Sequence, residues 1–186
     1  MPDAPRLPLR LVALSTVVAL AAAVGTYALL SDDGDDADTD PGTIELTPSE
    51  DFDGATYTTF DGEVLALADL VGTPTVVNFF SSTCVPCITE MPAFETVYRE
   101  VGGEVRFLGL AMADRPDKAQ ALVERTGVTY PTAQDKDGSV IAVLGGTVLP
   151  TTVLLDAEGD IVATHNGELD ADELRTLLAE KLGIDA

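Results

Sequence analysis

Apolar positions along this chain change character twice. Leu11 to Leu30 forms one run with no charged residue, and residues 31–51 then carry few apolar positions. From Phe52 onward the apolar residues return as short periodic segments. Thr56–Phe60 and Glu63–Leu67 flank Asp61-Gly62, which predicts a β-hairpin. Thr75-Val76-Val77-Asn78-Phe79-Phe80 reads as a buried strand, and Pro86 to about Val101 has helical spacing at Ile88, Met91, Phe94, Val97 and Tyr98. Gly102-Gly103 stops that helix. Val105–Ala111 predicts a second buried strand, and Pro116 opens a helix with apolar Ala119, Leu122 and Val123 that ends at Gly127. A short strand is expected over Tyr130–Thr132 and a short helix over Ser139–Leu144. Thr151–Asp156 and Ile161–Thr164 then read as strands joined by a turn at Ala157-Glu158-Gly159-Asp160. A last helix from about Asp170 to Leu182 presents Leu174, Leu177, Leu178 and Leu182, and Gly183 ends it. Continuous apolar strands between helices predict an α/β domain whose sheet is covered on both faces.

The uncharged run sets the organisation of the N-terminus. Twenty helical residues span about 30 Å, enough to cross a bilayer core. Arg6 and Arg10 precede the run, and Asp32, Asp33, Asp35, Asp36 and Asp38 follow it. That asymmetry places residues 1–10 in the cytoplasm and everything after the span outside. A cleaved signal peptide is the alternative, leaving a secreted protein. Its apolar region normally runs only about 7–15 residues, and the small-residue cut site at Thr26-Tyr27-Ala28 is poor. No cysteine lies near the span, which excludes lipoprotein anchoring. The expected division is a cytoplasmic N-terminus (1–10), a transmembrane anchor (11–30), an acidic flexible tether (31–51) and a folded domain (52–186).

Charge narrows the partners. The formal net charge is −22, and from Phe52 onward 22 acidic against 8 basic residues leave −14. Such a surface disfavours nucleic acid and anionic lipid headgroups.

The candidate chemistry lies at Cys84-Val85-Pro86-Cys87, which contains the only 2 cysteines of the chain. The pair stands where the first buried strand gives way to a helix, and a C-x-x-C at such a junction reads as a thiol–disulfide redox centre. The positive end of the helix lowers the pKa of the first thiol, and the thiolate is the reactive form. A structural zinc needs about four ligands, and two thiols with the lone His165 fall short. A purely structural bridge across a two-residue gap removes little chain entropy. Glu90 follows Cys87 by one helical step and falls on the helix face near the thiols. No cofactor is expected.

VVNFFSSTCVPCITEMP (Val76–Pro92) and LPTTVLLDAEGDIV (Leu149–Val162) resemble the thioredoxin superfamily, and within it the membrane-anchored TlpA/ResA-type thiol–disulfide oxidoreductases. The resemblance covers roughly Phe52 to Leu182. It implies the thioredoxin fold, a mixed central sheet with helices on both faces, here with an N-terminal hairpin and a transmembrane helix added. It also implies that Cys84 is the exposed nucleophile, Cys87 the resolving thiol and partner in a reversible disulfide, and Pro150 a cis-proline facing them. Glu90 takes the place of a glutamate linked to proton handling. Asn78 stands where cytosolic thioredoxins carry a buried aspartate, and an amide accepts no proton at working pH. Thr83, Val85, Pro86 and Leu149 are implied at the surface that meets substrate. Thr83 departs from the family's usual tryptophan, and the chain has no tryptophan at all.

The implied activity is reduction of disulfides in exported proteins, such as apocytochrome c during cytochrome c maturation. The implied partners are protein thiols and disulfides and a membrane thiol reductant of the DsbD/CcdA type, with the protein itself monomeric. A peroxiredoxin-like peroxidase is a second reading of the same fold. Its P-x-x-x-[ST]-x-x-C pattern is met at Ser81 but not at Val77. A third is a non-catalytic copper-binding or chaperone module. Copper-delivering relatives use a C-x-x-x-C pair and a distant histidine, whereas the cysteine spacing here is one shorter, and His165 reads as an edge or surface residue.

Overall fold

The computed structural model describes Phe52 and residues 54–185. The expected cytoplasmic segment, anchor and tether lie outside the described residues. Among the described residues no helix is long and apolar enough to cross a membrane.

Strand β1 (Thr56–Thr59) turns back into β2 (Val64–Ala66), followed by a single 3-10 turn at Leu67–Leu70. Then come β3 (Thr75–Phe80), α1 (Val85–Val101), β4 (Arg106–Met112), α2 (Pro116–Thr126), β5 (Thr132–Asp135), α3 (Ser139–Val143), β6 (Thr151–Leu155), β7 (Ile161–Asn166) and α4 (Ala171–Leu182). The strands form one seven-stranded sheet in the order β2-β1-β5-β4-β3-β6-β7. β3 pairs parallel with β4, and β4 with β5, while β6 and β7 run antiparallel to their neighbours, so the sheet is mixed.

Side-chain alternation along β3 builds two cores. Val76 and Phe80 face the layer of α1, α2 and α4, packing with Phe94, Leu122, Leu174 and Leu178. Val77 and Phe79 face the 3-10 turn and α3, packing with Leu67, Val140 and Leu144. Period-2 alternation therefore puts Asn78 on the α1 side of the sheet. All six residues of β3 are buried, as a central strand flanked by β4 and β6 requires.

One element moves. The strand expected over Tyr130–Thr132 runs instead from Thr132 to Asp135, a Thr-Ala-Gln-Asp segment. Its buried carboxylate, Asp135, has partners. The Asp135 carboxylate accepts the amides of Val140 at 3.3 Å and Ile141 at 2.9 Å. Tyr130 lies ahead of the strand and stacks with Tyr98 and Phe107.

Candidate active site

Strand β3 ends at Phe80, and three residues carry the chain to Cys84. That crossing is anchored by Asp114, whose carboxylate accepts the Ser82 amide at 2.5 Å and the Ser82 hydroxyl at 3.0 Å. The Cys84 amide closes the turn onto the Ser81 carbonyl at 3.1 Å. Cys84 is the N-cap of α1, with extended backbone, and its Sγ accepts the Cys87 amide at 3.3 Å. Pro86 occupies the first turn, where the helix needs no amide donor. Cys84 and Cys87 are joined as a disulfide. Their surroundings differ: Cys84 is half-buried, whereas Cys87 has no exposure. Of the two residues, Cys84 is therefore the one that solvent touches. The unsatisfied amides of the first turn point at the same end of α1 and favour a thiolate there.

The Leu149–Pro150 peptide is cis, and Pro150 is buried. Thr151, the next residue, pairs with Phe79, so the entry to β6 and the exit from β3 share one edge of the sheet. Around this edge Thr83 and Pro86 are exposed, Leu149 is half-buried, and Val85 is 71% exposed.

Glu90 is buried, on the sheet side of α1. Its Oε1 accepts from Asn78 Nδ2 at 2.8 Å, and its Oε2 accepts the Leu169 amide at 3.2 Å. Burial pushes the Glu90 carboxyl up to about 7; the bonds from Asn78 and Leu169 oppose the rise, and the Glu168 charge adds to it. The same Asn78 Nδ2 also donates to Thr152 Oγ1 on β6, at 3.4 Å. Sequence reasoning singled out Glu90 and Asn78 but did not join them, and it missed Leu169 and Thr152. The signal for the first pair was present, since alternation along β3 and the helical step from Cys87 point both residues into the same layer.

His165 lies on edge strand β7, half-buried and opposite Thr152. It lines a groove of about 410 Å³ with Leu169, Asp170 and Glu173. Among the described residues no group of three or more His, Cys, Asp or Glu side chains is placed to hold a metal ion.

Fold and site together define a class: a thioredoxin-like α/β domain of the thiol–disulfide oxidoreductase type, carrying its C-x-x-C disulfide at the start of a helix. Residues 48–164 match the AhpC/TSA family, and the chain belongs to it. It is 35% identical over 108 residues to the thiol–disulfide oxidoreductase ResA of Halalkalibacterium halodurans, covering 58% of this chain and 61% of that relative's length. Among solved structures, MTB DsbF superposes with a TM-score of 0.65 at 28% identity, covering 72% of this chain and 98% of that one. A secreted Mycobacterium tuberculosis disulfide oxidoreductase homologous to E. coli DsbE superposes with a TM-score of 0.63 at 26% identity, covering 71% and 98%.

Proposed function

We propose that this protein is an extracytoplasmic thiol–disulfide oxidoreductase, held to the membrane by residues 11–30 and freed to reach its partners by the tether over 31–51. The observation that carries this reading is the asymmetry of the disulfide, with Cys84 half-buried at a helix N-terminus and Cys87 enclosed. The run of charge from Arg6 and Arg10 to the aspartates beyond Leu30 supports the outward orientation. The secreted disulfide oxidoreductase among the solved relatives supports the same compartment.

In the reducing direction the Cys84 thiolate attacks one sulfur of a substrate disulfide. The substrate S–S bond breaks, a mixed disulfide forms, and the first substrate thiolate leaves. Cys87 then gives its proton to the Glu90 carboxylate and attacks Cys84 Sγ. The mixed disulfide breaks, the second substrate thiolate leaves, and two electrons have passed from the Cys84/Cys87 dithiol to the substrate. A carboxyl near 7 takes and returns a proton at working pH more readily than an ordinary glutamate. The segment at Leu149 and Pro150 offers backbone to the bound substrate, and Thr83, Val85 and Pro86 form the rim it meets. Exported proteins such as apocytochrome c are the proposed substrates, and a membrane thiol carrier of the DsbD/CcdA type is the proposed electron source.

The AhpC/TSA match keeps a peroxidase as the second reading. Against it stands Val77, buried between β4 and β6, where a proline would remove a ladder hydrogen bond. Insulin reduction and peroxide consumption, measured side by side for the wild type and Cys84→Ser, test both. Reductase activity that Cys84→Ser abolishes is expected. Equal rates in the two proteins would end the redox reading, and peroxide turnover without insulin reduction would replace it with the peroxidase.

A further inference from the structure

The hydrogen bonds around Glu90 are those of a carboxylate, yet its environment favours the neutral acid. Both oxygens receive donors, Oε1 from Asn78 Nδ2 and Oε2 from the Leu169 amide. A backbone amide donates only, so Oε2 must remain an acceptor in either protonation state. A carbonyl oxygen accepts better than a hydroxyl, so the neutral acid favours its proton on Oε1, where Asn78 now presents N–H groups. Two donors facing one another across 2.8 Å are not a bond. A partner that can exchange donor for acceptor is required, and a carboxamide carries both on one planar group.

Two further observations fit that requirement. Asn78 is 1% exposed, and its Oδ1 has no hydrogen-bond partner among the described residues, so only the Nδ2 bonds hold the amide in its present orientation. The same Nδ2 reaches the Thr152 hydroxyl, which rotates to accept or donate as needed. We propose that the Asn78 amide is a reversible positioning group for Glu90. It donates to the ionised carboxylate and turns over to accept from the protonated acid, while Thr152 switches from acceptor to donor in step. Glu90 then keeps one place on the helix through a catalytic cycle that changes its charge, with no backbone movement.

The other groups near Glu90 cannot do this. Glu168, between β7 and α4, acts on it through charge and disfavours ionisation. Tyr130, ahead of β5, stays neutral because burial, then the charges of Glu90 and Glu95, push its ionisation well above the ordinary range. Cys84 and Cys87, earlier on α1, are tied up as the disulfide in the oxidised protein.

The inference rests on the proposed redox cycle for its purpose but not for its test. Isotope-labelled full-length protein, oxidised and in detergent, is titrated by NMR from about pH 5 to about pH 9, bracketing the Glu90 transition. The Asn78 side-chain amide resonances are expected to shift with the midpoint of the Glu90 carboxyl carbon. The contact between the Asn78 amide protons and the Glu90 side chain is expected on the alkaline side and lost on the acid side. In Glu90→Gln the Asn78 signals should become independent of pH. A contact that persists through the midpoint, or Asn78 signals that still titrate in Glu90→Gln, overturns the proposal. Insulin reduction by the same preparation separates the two ideas, since a failed amide switch in an active reductase leaves the function standing.

Discussion

Replacing Glu90 by glutamine should make the fold more stable at alkaline pH while slowing its chemistry. The Glu90 carboxyl lies at about 7 in the fold against an ordinary value of 4.5, chiefly because burial disfavours the charge. As pH rises through this window the unfolded chain releases the proton first and the folded protein holds it. Stability contributed by the neutral acid is complete below about 4.5 and is lost as pH passes about 7. At about 1.4 kcal/mol per pH unit the loss comes to about 3 kcal/mol. The side chain is 1% exposed, so solvent screening does not reduce the figure. Glutamine keeps the shape and an acceptor for Leu169 but cannot ionise. Oxidised wild type and Glu90→Gln are to be unfolded by denaturant near pH 4 and near pH 8, followed by circular dichroism because the chain has no tryptophan. Wild type should lose about 3 kcal/mol more than the variant between the two, the other carboxylates cancelling in the comparison. Parallel pH dependence in the two proteins would refute the buried titrating glutamate. Insulin reduction by the variant should be slower and its pH profile altered.

The remaining predictions concern the scaffold. Burial alone raises the Glu95 carboxyl, but the Thr129 hydroxyl and amide and the Arg99 guanidinium outweigh it and hold the group below its ordinary value. Its contribution is therefore present above the ordinary carboxylate range and lost as pH falls, and Glu95→Gln should cost about 1–3 kcal/mol at neutral pH and flatten acid unfolding. An acid limb as steep as that of the wild type would count against it. A Cβ on Gly146 would stand 2.6 Å from Ile141 Cγ1 and 2.9 Å from Thr151 Cγ2. Gly146→Ala should therefore cost about 1–3 kcal/mol and lower reductase activity by displacing the approach to Pro150. Unchanged stability and rate would show that the loop yields freely.

Local pattern carried most of the fold. The helix over Pro86–Val101, the glycine stops at Gly102, Gly127 and Gly183, and the buried strands at 75–80 and 151–156 follow from apolar period and turn chemistry, and the structure places them accordingly, the latter strand ending one residue earlier at Leu155. The hydrophobic signal failed at β5, because Gln134 and Asp135 are buried polar residues there, the Asp135 carboxylate receiving two backbone amides from α3. The pairing of Cys84 with Cys87 needed only four adjacent residues. The surroundings of Glu90 needed contacts across 12, 74 and 79 positions of sequence, linking α1, β3, β6 and the segment before α4. Nothing in a one-dimensional pattern marks Thr152 or the Leu169 amide, since one reads as an ordinary strand residue and the other is backbone.

The exchange chemistry is tested most directly by trapping its intermediate. Cys87→Ser, given exported proteins or a model disulfide, should accumulate a covalent adduct through Cys84 that dithiothreitol releases, and Cys84→Ser should form none. No adduct in the first variant, or equal adducts in both, would contradict a nucleophilic Cys84 resolved by Cys87.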